Sequence, residues 1–304
     1  MEDSTVSEGI GYWMLLSVLA NDKTTFDGLW SYAKTYLNQN GLMSWQIMPD
    51  GKVPETDSAS DGDQDIAWAL YLAERTWGGY ESDMKSMINA VMAYDIDPEK
   101  LVLKGGDAWS LTDGVSLAYT RPGYYPVFAG ITGDDRWNQV LFNSLNLVDN
   151  LMTVSPAGTT GLVPDFMDID SLPSEARGEE SYVYSWVATR YPLFYAQALG
   201  LCGSSSGNRI SGYLSLINGF FKSQRGNLVA GYTLDGRPLV DYQELTFISG
   251  TLTASAVSDD AAYRQQVLQT VINHPVDQYF GDSLRLLALA IFANRMGPTV
   301  LDYP

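Results

Sequence analysis

Three aspartates stand at alternate positions in the segment SASDGDQDIAWAL, residues 58–70, directly ahead of an apolar run. They are Asp61, Asp63 and Asp65. Carboxylates suit the positive end of a helix, and Asp61 followed three residues later by Gln64 has the spacing of a capping box. A carboxylate at the start of a helix can also face a cleft and bind a sugar or exchange a proton. The segment therefore predicts a helix start whose aspartates are either structural or functional.

A calcium-binding loop is another reading of the same spacing, because D-x-D-x-D opens an EF-hand loop. Such a loop needs glycine at its sixth position for a sharp turn and a bidentate glutamate at its twelfth. These positions are Ile66 and Leu72 here. The pattern excludes an EF-hand, and we predict neither a metal nor any other cofactor.

The remaining reactive side chains narrow the chemistry further. Cys202 is the only cysteine, so the chain has no intramolecular disulfide and no CxxC metal or redox motif. His274 is the only histidine and precedes a proline, which argues against a zinc site rich in histidine and against a Ser-His-Asp or Cys-His mechanism. If the protein is an enzyme, carboxylates must carry its acid–base chemistry.

The net charge excludes one class of partner. The 304 residues carry a formal charge of −18 at pH 7, whereas a protein that binds nucleic acid needs Lys and Arg to neutralise phosphates. No apolar stretch approaches the roughly 20 residues of a membrane span, so we predict no membrane segment. The expectation is a monomer that is secreted or periplasmic.

The elements that position these residues are predicted to be helices. Apolar residues recur with a period close to 3.6 along almost the whole chain. Residues 9–20 and 184–200 are apolar nearly all round, as expected of helices buried in a larger array. We predict about ten or eleven helices joined by long loops. Because no linker or change of composition divides the chain, the prediction is one all-α domain over residues 1–304.

Several motifs together resemble glycoside hydrolase family 8. The segment ASDGDQDIAWAL is similar to the family signature A-S/T-D-G-D-x-D-I-A-x-A/S-L. SEGIGYWML, residues 7–15, resembles the segment S-E-G-Q-G-Y-G-M-L upstream of that signature. RPGYYPVFAGITGDDRW, TTGLVPDFMD and GDSLRLLALAIF follow in the order of the family. The resemblance therefore covers nearly the whole chain.

The resemblance implies an (α/α)6 barrel and inverting, endo-acting hydrolysis of a β-1,4-linked polysaccharide. Chitosan or a β-glucan such as cellulose is the expected substrate, with xylan or a degenerate carbohydrate-binding protein as alternatives. An inverting glycosidase works with two carboxyl groups about 6.5–9.5 Å apart. The family has a further helix before S-E-G, whereas six residues precede Ser7 here. Either the barrel lacks its first helix or the sequence is a fragment.

The resemblance also implies roles for individual carboxylates. Glu8 matches the glutamate of S-E-G, the family's proton donor. Asp61 matches the aspartate that contacts the distorted sugar at the point of cleavage. Asp63 and Asp65 are interpreted as capping or supporting residues, and Asp63 is also kept as a candidate for substrate binding.

The general base departs from the pattern. One branch of the family has its base aspartate in a Y-D-A-x-R-x-P segment, which corresponds to WVATRYP here, so Val187 occupies that position. In another branch the base is a glutamate of the preceding loop. That similarity favours Glu179 or Glu180, without a choice between them. If neither is the base, Asp165, Asp168 or a severely weakened enzyme remains.

The other expected contacts are with the sugar rings. Arg190 matches a family arginine that can orient carboxylates and sugar hydroxyls. Aromatic rings stack on the C–H faces of sugars, and a few of the aromatic side chains near the motifs are expected to line the cleft. The candidates are Trp45, Trp109, Tyr119, Tyr124 and Trp186.

Overall fold

The computed structural model describes residues 3–175, 177–178, 181–276 and 278–293. Within these ranges the chain forms twelve α-helices, of which α7 is a single short turn. The helices are α1 Ser7–Leu19, α2 Lys23–Thr35, α3 Ser60–Trp77, α4 Glu81–Ala90, α5 Tyr124–Thr132, α6 Arg136–Val154, α7 Ala157–Thr160, α8 Tyr191–Ala198, α9 Ser204–Ser223, α10 Leu245–Ala254, α11 Ala261–Asn273 and α12 Tyr279–Phe292.

The described strands are short. Strand β1, Thr5–Val6, pairs antiparallel with β2, Gln46–Ile47, and Thr5 stands opposite Ile47. None of the helices in the described ranges is both long enough and apolar enough to cross a membrane.

The described residues divide into two compact units, 3–110 with 127–140 and 111–126 with 141–293. The single domain expected over residues 1–304 stays a prediction. In the first unit, α1 packs against α2 and α3. Helix α1 is buried nearly all round because apolar and small residues occupy most of its surface. Helix α2 is amphipathic and turns Phe26, Trp30 and Ala33 inward.

In the second unit, α10 packs against α8 and α12. Every residue of α8 and α10 is buried, as the apolar sequence around residues 184–200 predicts for α8. Helix α9 instead buries one stripe at helical spacing, which leaves its other face to solvent. The buried residues of that stripe include Ile210, Tyr213, Leu214, Ile217 and Phe221.

Candidate active site

Glu8 lies in the first turn of α1, directly after β1. The pairing of β1 with β2 continues one residue further, because the N–H of Ser7 donates to the carbonyl of Trp45 at 3.0 Å. The Glu8 side chain is half-buried. The short sheet therefore fixes the start of α1. It brings the backbone of Trp45 next to Ser7, the residue before Glu8.

The first turns of α1 and α3 are in close contact, and glycines make this contact possible. A Cβ built on Gly62 would lie 2.6 Å from the Oγ of Ser7 and 2.8 Å from the backbone N of Glu8. One turn further along α1, a Cβ on Gly11 would lie 2.8 Å from the Cβ of Asp65. Both separations are too short for a side chain. The glycines therefore place Glu8 and the Asp61–Asp65 segment on adjoining helical turns.

Asp61 is the second residue of α3, because the helix begins at Ser60. Its Oδ1 accepts from the N–H of Gly62 at 2.9 Å, and the residue is 1% exposed. Gln64 donates to the carbonyl of Ser60 at 2.7 Å. The predicted capping box is therefore wrong, since the residue before the helix is Ala59, which has no side-chain cap. The helix start itself is confirmed.

Asp63 lies beneath the loop that precedes α3. Its Oδ1 accepts from the N–H of Met43 at 3.1 Å, and the residue is 0% exposed. Burial, followed by the nearby charges of Asp95 and Asp107, raises the pKa of Asp63 well above its usual value. The structural interpretation of Asp63 fits this burial, whereas the prediction that it binds substrate does not.

Asp95 is the buried neighbour that the sequence analysis missed. It is 0% exposed, and the Oγ of Ser58 donates to its Oδ1 at 3.3 Å. Burial and the charge of Asp107 raise its pKa well above the usual value. Asp95 is the last residue of a π-helical turn, Val91–Asp95, that continues α4, and it belongs to no recognisable motif. Only the tertiary structure brings it to Asp63.

Trp109 lies close to the start of α3 because its ring covers Gly105. A Cβ on Gly105 would lie 2.1 Å from the ring, and the carbonyl of Gly105 accepts from the N–H of Ser60 at 3.1 Å. Trp109 and Trp45 are both half-buried. Each therefore keeps part of its surface open to solvent.

In the second unit, the carboxylate of Asp165 contacts the backbone of the turn that contains Val187. The segment containing Asp165 pairs with residues 181–185, since the N–H of Asp165 donates to the carbonyl of Val183 at 2.9 Å. The Oδ1 of Asp165 accepts from Ser185 N at 3.1 Å and from Ala188 N at 2.7 Å. The N–H of Val187 also acts on this carboxylate. Asp165 therefore lies at the backbone of the predicted base position.

Burial raises the pKa of Asp165 to about 6. The three backbone N–H groups and the charge of Arg190 act in the opposite direction and favour the ionised form. The residue is 8% exposed. Such a carboxyl changes charge near neutral pH, which is the property of a group suited to proton transfer.

Arg190 is buried, and its Nε donates to the carbonyl of Val187 at 3.2 Å. Its guanidinium lies 5.1 Å from the ring centre of Tyr119, which is half-buried. Trp186 is 39% exposed and makes an edge-to-face contact with Phe247. These three predicted site residues belong to the same unit as Asp165.

Tyr124 is the exception among the predicted platforms. It is 0% exposed and packs edge-on against Phe194 at 6.4 Å between ring centres. A ring that is enclosed by the core has no face for a sugar, so the prediction for Tyr124 is wrong.

Glu179 and Glu180, the predicted bases, lie outside the described residues. Among the residues that are described, no group of three or more His, Cys, Asp and Glu is arranged to hold a metal ion.

The fold and the site define an all-α protein with carboxylates at the starts of buried helices and aromatic side chains beside them. A sequence profile described as "Glycosyl hydrolases family 8" matches residues 1–293. The chain belongs to this family. Family structures are (α/α)6 barrels, and the predicted fold class is confirmed.

A solved structure supports the fold assignment. The apo structure of a β-1,3-1,4-glucanase from Paenibacillus sp. X4 superposes with a TM-score of 0.91 at 26% identity, covering 98% of this chain and 84% of the other. A xylobiose complex of a family 8 protein from Teredinibacter turnerae superposes with a TM-score of 0.86 at 23% identity, covering 97% and 83%. The second comparison supports the fold alone.

Two similar sequences are endoglucanases. Endoglucanase C of Ruminiclostridium cellulolyticum is 31% identical over 315 residues, which is 98% of this chain and 65% of the relative. Endoglucanase A of Acetivibrio thermocellus is 32% identical over 298 residues, which is 94% of this chain and 61% of the relative. The chain thus spans somewhat less than two thirds of these relatives.

Proposed function

We propose that the protein is an inverting, endo-acting glycoside hydrolase that cleaves internal β-1,4 linkages of a β-glucan. The observation that carries the proposal is the contact between the first turns of α1 and α3, where the backbone of Glu8 lies against Gly62, the residue after Asp61. The similarity to endoglucanases and to a β-1,3-1,4-glucanase favours glucan as the substrate.

In the proposed reaction, Glu8 protonates the oxygen of the leaving sugar. A second carboxylate removes a proton from the water that attacks the opposite face of the ring. Asp61 contacts the sugar at the cleavage point. Trp45, Trp109 and Trp186 supply partly open indole faces for neighbouring sugars, and Arg190 with Tyr119 lines the side of the second carboxylate. No cofactor takes part in this scheme.

The experiment is the release of reducing sugar from lichenan, carboxymethylcellulose, soluble chitosan and xylan. We expect hydrolysis of lichenan or carboxymethylcellulose, with a rapid fall in viscosity that marks internal cleavage. Chitosan belongs in the panel because the charge of −18 would attract a polycation. The absence of sugar release from all four polymers would refute the proposal.

A carbohydrate-binding protein without hydrolysis is the second candidate, and Val187 at the expected base position favours it. In that case, affinity electrophoresis would show retention by one of the polymers while no reducing sugar appears. Detectable turnover with an inverted anomer in the NMR spectrum of the first product excludes it.

Secretion or a periplasmic location and a monomeric state are further parts of the proposal. A polymeric substrate is too large to enter a cell, which supports a location outside the cytoplasm. Fractionation of the source cells tests the location. Light scattering coupled to gel filtration tests the monomer, because a dimer would double the measured mass.

A further inference from the structure

The two oxygens of Asp165 have different surroundings. Oδ1 accepts two backbone hydrogen bonds, from Ser185 N at 3.1 Å and Ala188 N at 2.7 Å. Neither of these two bonds uses Oδ2, and the residue is 8% exposed. A carboxylate fixed through one oxygen presents the other in a defined direction. This is the arrangement that a general base needs if it is to hold a water molecule.

The surroundings of Asp165 are those of a site rather than of a core. Trp186, 39% exposed, lies in the turn that the carboxylate holds. Among the described residues, Arg190 in the turn and Tyr184 in the paired segment are a charged and a titratable group that interact with Asp165. Arg190 favours the ionised carboxylate, which is the form that accepts a proton.

We propose that Asp165 is the general base of the hydrolysis, in place of Glu179 or Glu180. The assignment rests on the proposed function and names the second carboxylate that the function requires. Val187 cannot accept a proton, but its backbone helps to hold a carboxylate that reaches the turn from another segment of the chain.

The oxygen of water forms a bond to the anomeric carbon while Oδ2 of Asp165 takes one proton of that water. The bond from the anomeric carbon to the leaving oxygen breaks, and Glu8 gives its proton to that oxygen. Asp165 then releases a proton to solvent and Glu8 takes one up, which restores both groups.

A purely structural role for Asp165 makes a different prediction, and substitution by Asn separates the two. Asparagine retains an oxygen that accepts backbone N–H bonds as well as aspartate does, but it cannot accept a proton from water. If Asp165 only holds the turn, Asp165→Asn keeps most of the activity. If it is the base, kcat falls about 10²- to 10⁴-fold while the melting temperature stays close to that of the wild type.

Azide rescue gives a readout that folding does not affect. Azide attacks the anomeric carbon without needing a base, so sodium azide is expected to restore turnover of Asp165→Asn and to yield a glycosyl azide of inverted configuration. Asp22→Asn is the matched control, because Asp22 accepts from the N–H of Thr25 at the start of α2 and its loss of charge leaves that cap in place. The activity of Asp22→Asn is expected to equal that of the wild type and not to change when azide is added.

The pH profile supplies an independent check. In the wild type, kcat/KM is expected to fall about tenfold per pH unit below pH 6, because the pKa of Asp165 is about 6 and only its ionised form is active. The residual kcat/KM of Asp165→Asn should not show this fall below pH 6. The same assays on Glu179→Gln and Glu180→Gln test the alternative bases.

The outcomes separate this proposal from the proposed function. A wild type without activity on any of the four polymers overturns both. An active wild type overturns only the assignment of Asp165 if Asp165→Asn remains active, or if azide rescues Glu179→Gln or Glu180→Gln but not Asp165→Asn. Loss of activity in Asp165→Asn with rescue by azide supports the assignment.

Discussion

Gly62 of α3 lies against the backbone of Glu8 on α1, where a Cβ would come within 2.8 Å of the Glu8 nitrogen. The nearest groups are main-chain atoms near the start of a helix, together with the Oγ of Ser7. They cannot move aside as a flexible side chain would. Gly62, which has no side chain, therefore permits the close approach of the Glu8 backbone to the segment that contains Asp61.

Substitution Gly62→Ala is expected to reduce both stability and activity. The added methyl group forces α1 away from α3, at a cost of about 1–3 kcal/mol in the free energy of unfolding. Because Glu8 moves with α1, kcat should fall more than KM changes. Thermal unfolding and steady-state kinetics on lichenan measure the two effects.

Gly28→Ala is the matched control. Gly28 is also a helical glycine, in α2, but a Cβ there would meet no described atom within 4 Å. Alanine at this position is expected to raise the free energy of unfolding by about 0.5–1 kcal/mol, with unchanged kinetics. Equal losses in Gly62→Ala and Gly28→Ala would contradict the role of the helix contact.

Glu8→Gln is expected to lower kcat on natural polysaccharide by about 10²- to 10⁴-fold, because glutamine has the same shape but no proton to donate at neutral pH. A dinitrophenyl glycoside has a leaving group that departs without protonation. The variant should therefore keep most of its activity on that substrate. Equal losses on both substrates would argue against Glu8 as the general acid.

Asp63→Asn is expected to stabilise the protein at neutral pH. The folded-state pKa of Asp63 is raised above the unfolded value, so the unfolded state loses its proton first as pH rises. The free energy of unfolding therefore decreases above pH 4 until the folded pKa is reached. Asparagine can still accept the hydrogen bond from Met43, and because it does not ionise, the decrease is absent in the variant. Thermal unfolding of both proteins between pH 4 and pH 8 measures the difference.

Asp27→Asn is the control of opposite sign. Hydrogen bonds from Lys23 and Tyr80 lower the pKa of Asp27, so its ionised form stabilises the fold above the unfolded pKa and this contribution is lost in acid. Removal of the charge should lower the melting temperature at pH 7 slightly, because the pair is exposed. A loss of stability in Asp63→Asn at pH 7 would contradict the prediction for Asp63 and its buried neighbour Asp95.

Trp186→Ala is expected to raise KM on oligosaccharides about 2- to 10-fold with little change in kcat, since an exposed indole face contributes mainly to binding. Phe142→Ala is the control, because Phe142 is an aromatic side chain of α6 that is 53% exposed and belongs to no predicted site. A similar rise of KM in both variants would show that Trp186 has no specific part in substrate binding.

Much of the fold could be predicted because the local spacing of apolar residues indicates which face of a helix is buried. The stripe from Ile210 to Phe221 has helical spacing, and the structure buries those residues. The helix start at residues 60–61 could also be predicted, although its predicted N-cap, Asp61, lies two residues after the observed one, Ala59. A capping box depends on where the backbone leaves the extended conformation, and Ala59 rather than Asp61 is that residue.

The candidate site was predicted only in part. The roles of Glu8 and Asp61, inferred from their motifs, stay predictions, as do those of Trp109 and Trp186, whereas Tyr124 is enclosed by Phe194 and the core. Whether an aromatic ring in a motif faces a cleft or the interior depends on residues far away in the sequence. No local pattern reports those neighbours.

The sequence by itself determined the helical class, the family and the residue types available for chemistry, because hydrophobic period and motif order are local properties of the chain. The tertiary structure decided which carboxylates are neighbours. It brought Asp95 to Asp63, and it placed Asp165 at the backbone of Val187. Burial and the proximity of charges shift a pKa, and both arise only when segments distant in sequence are packed together.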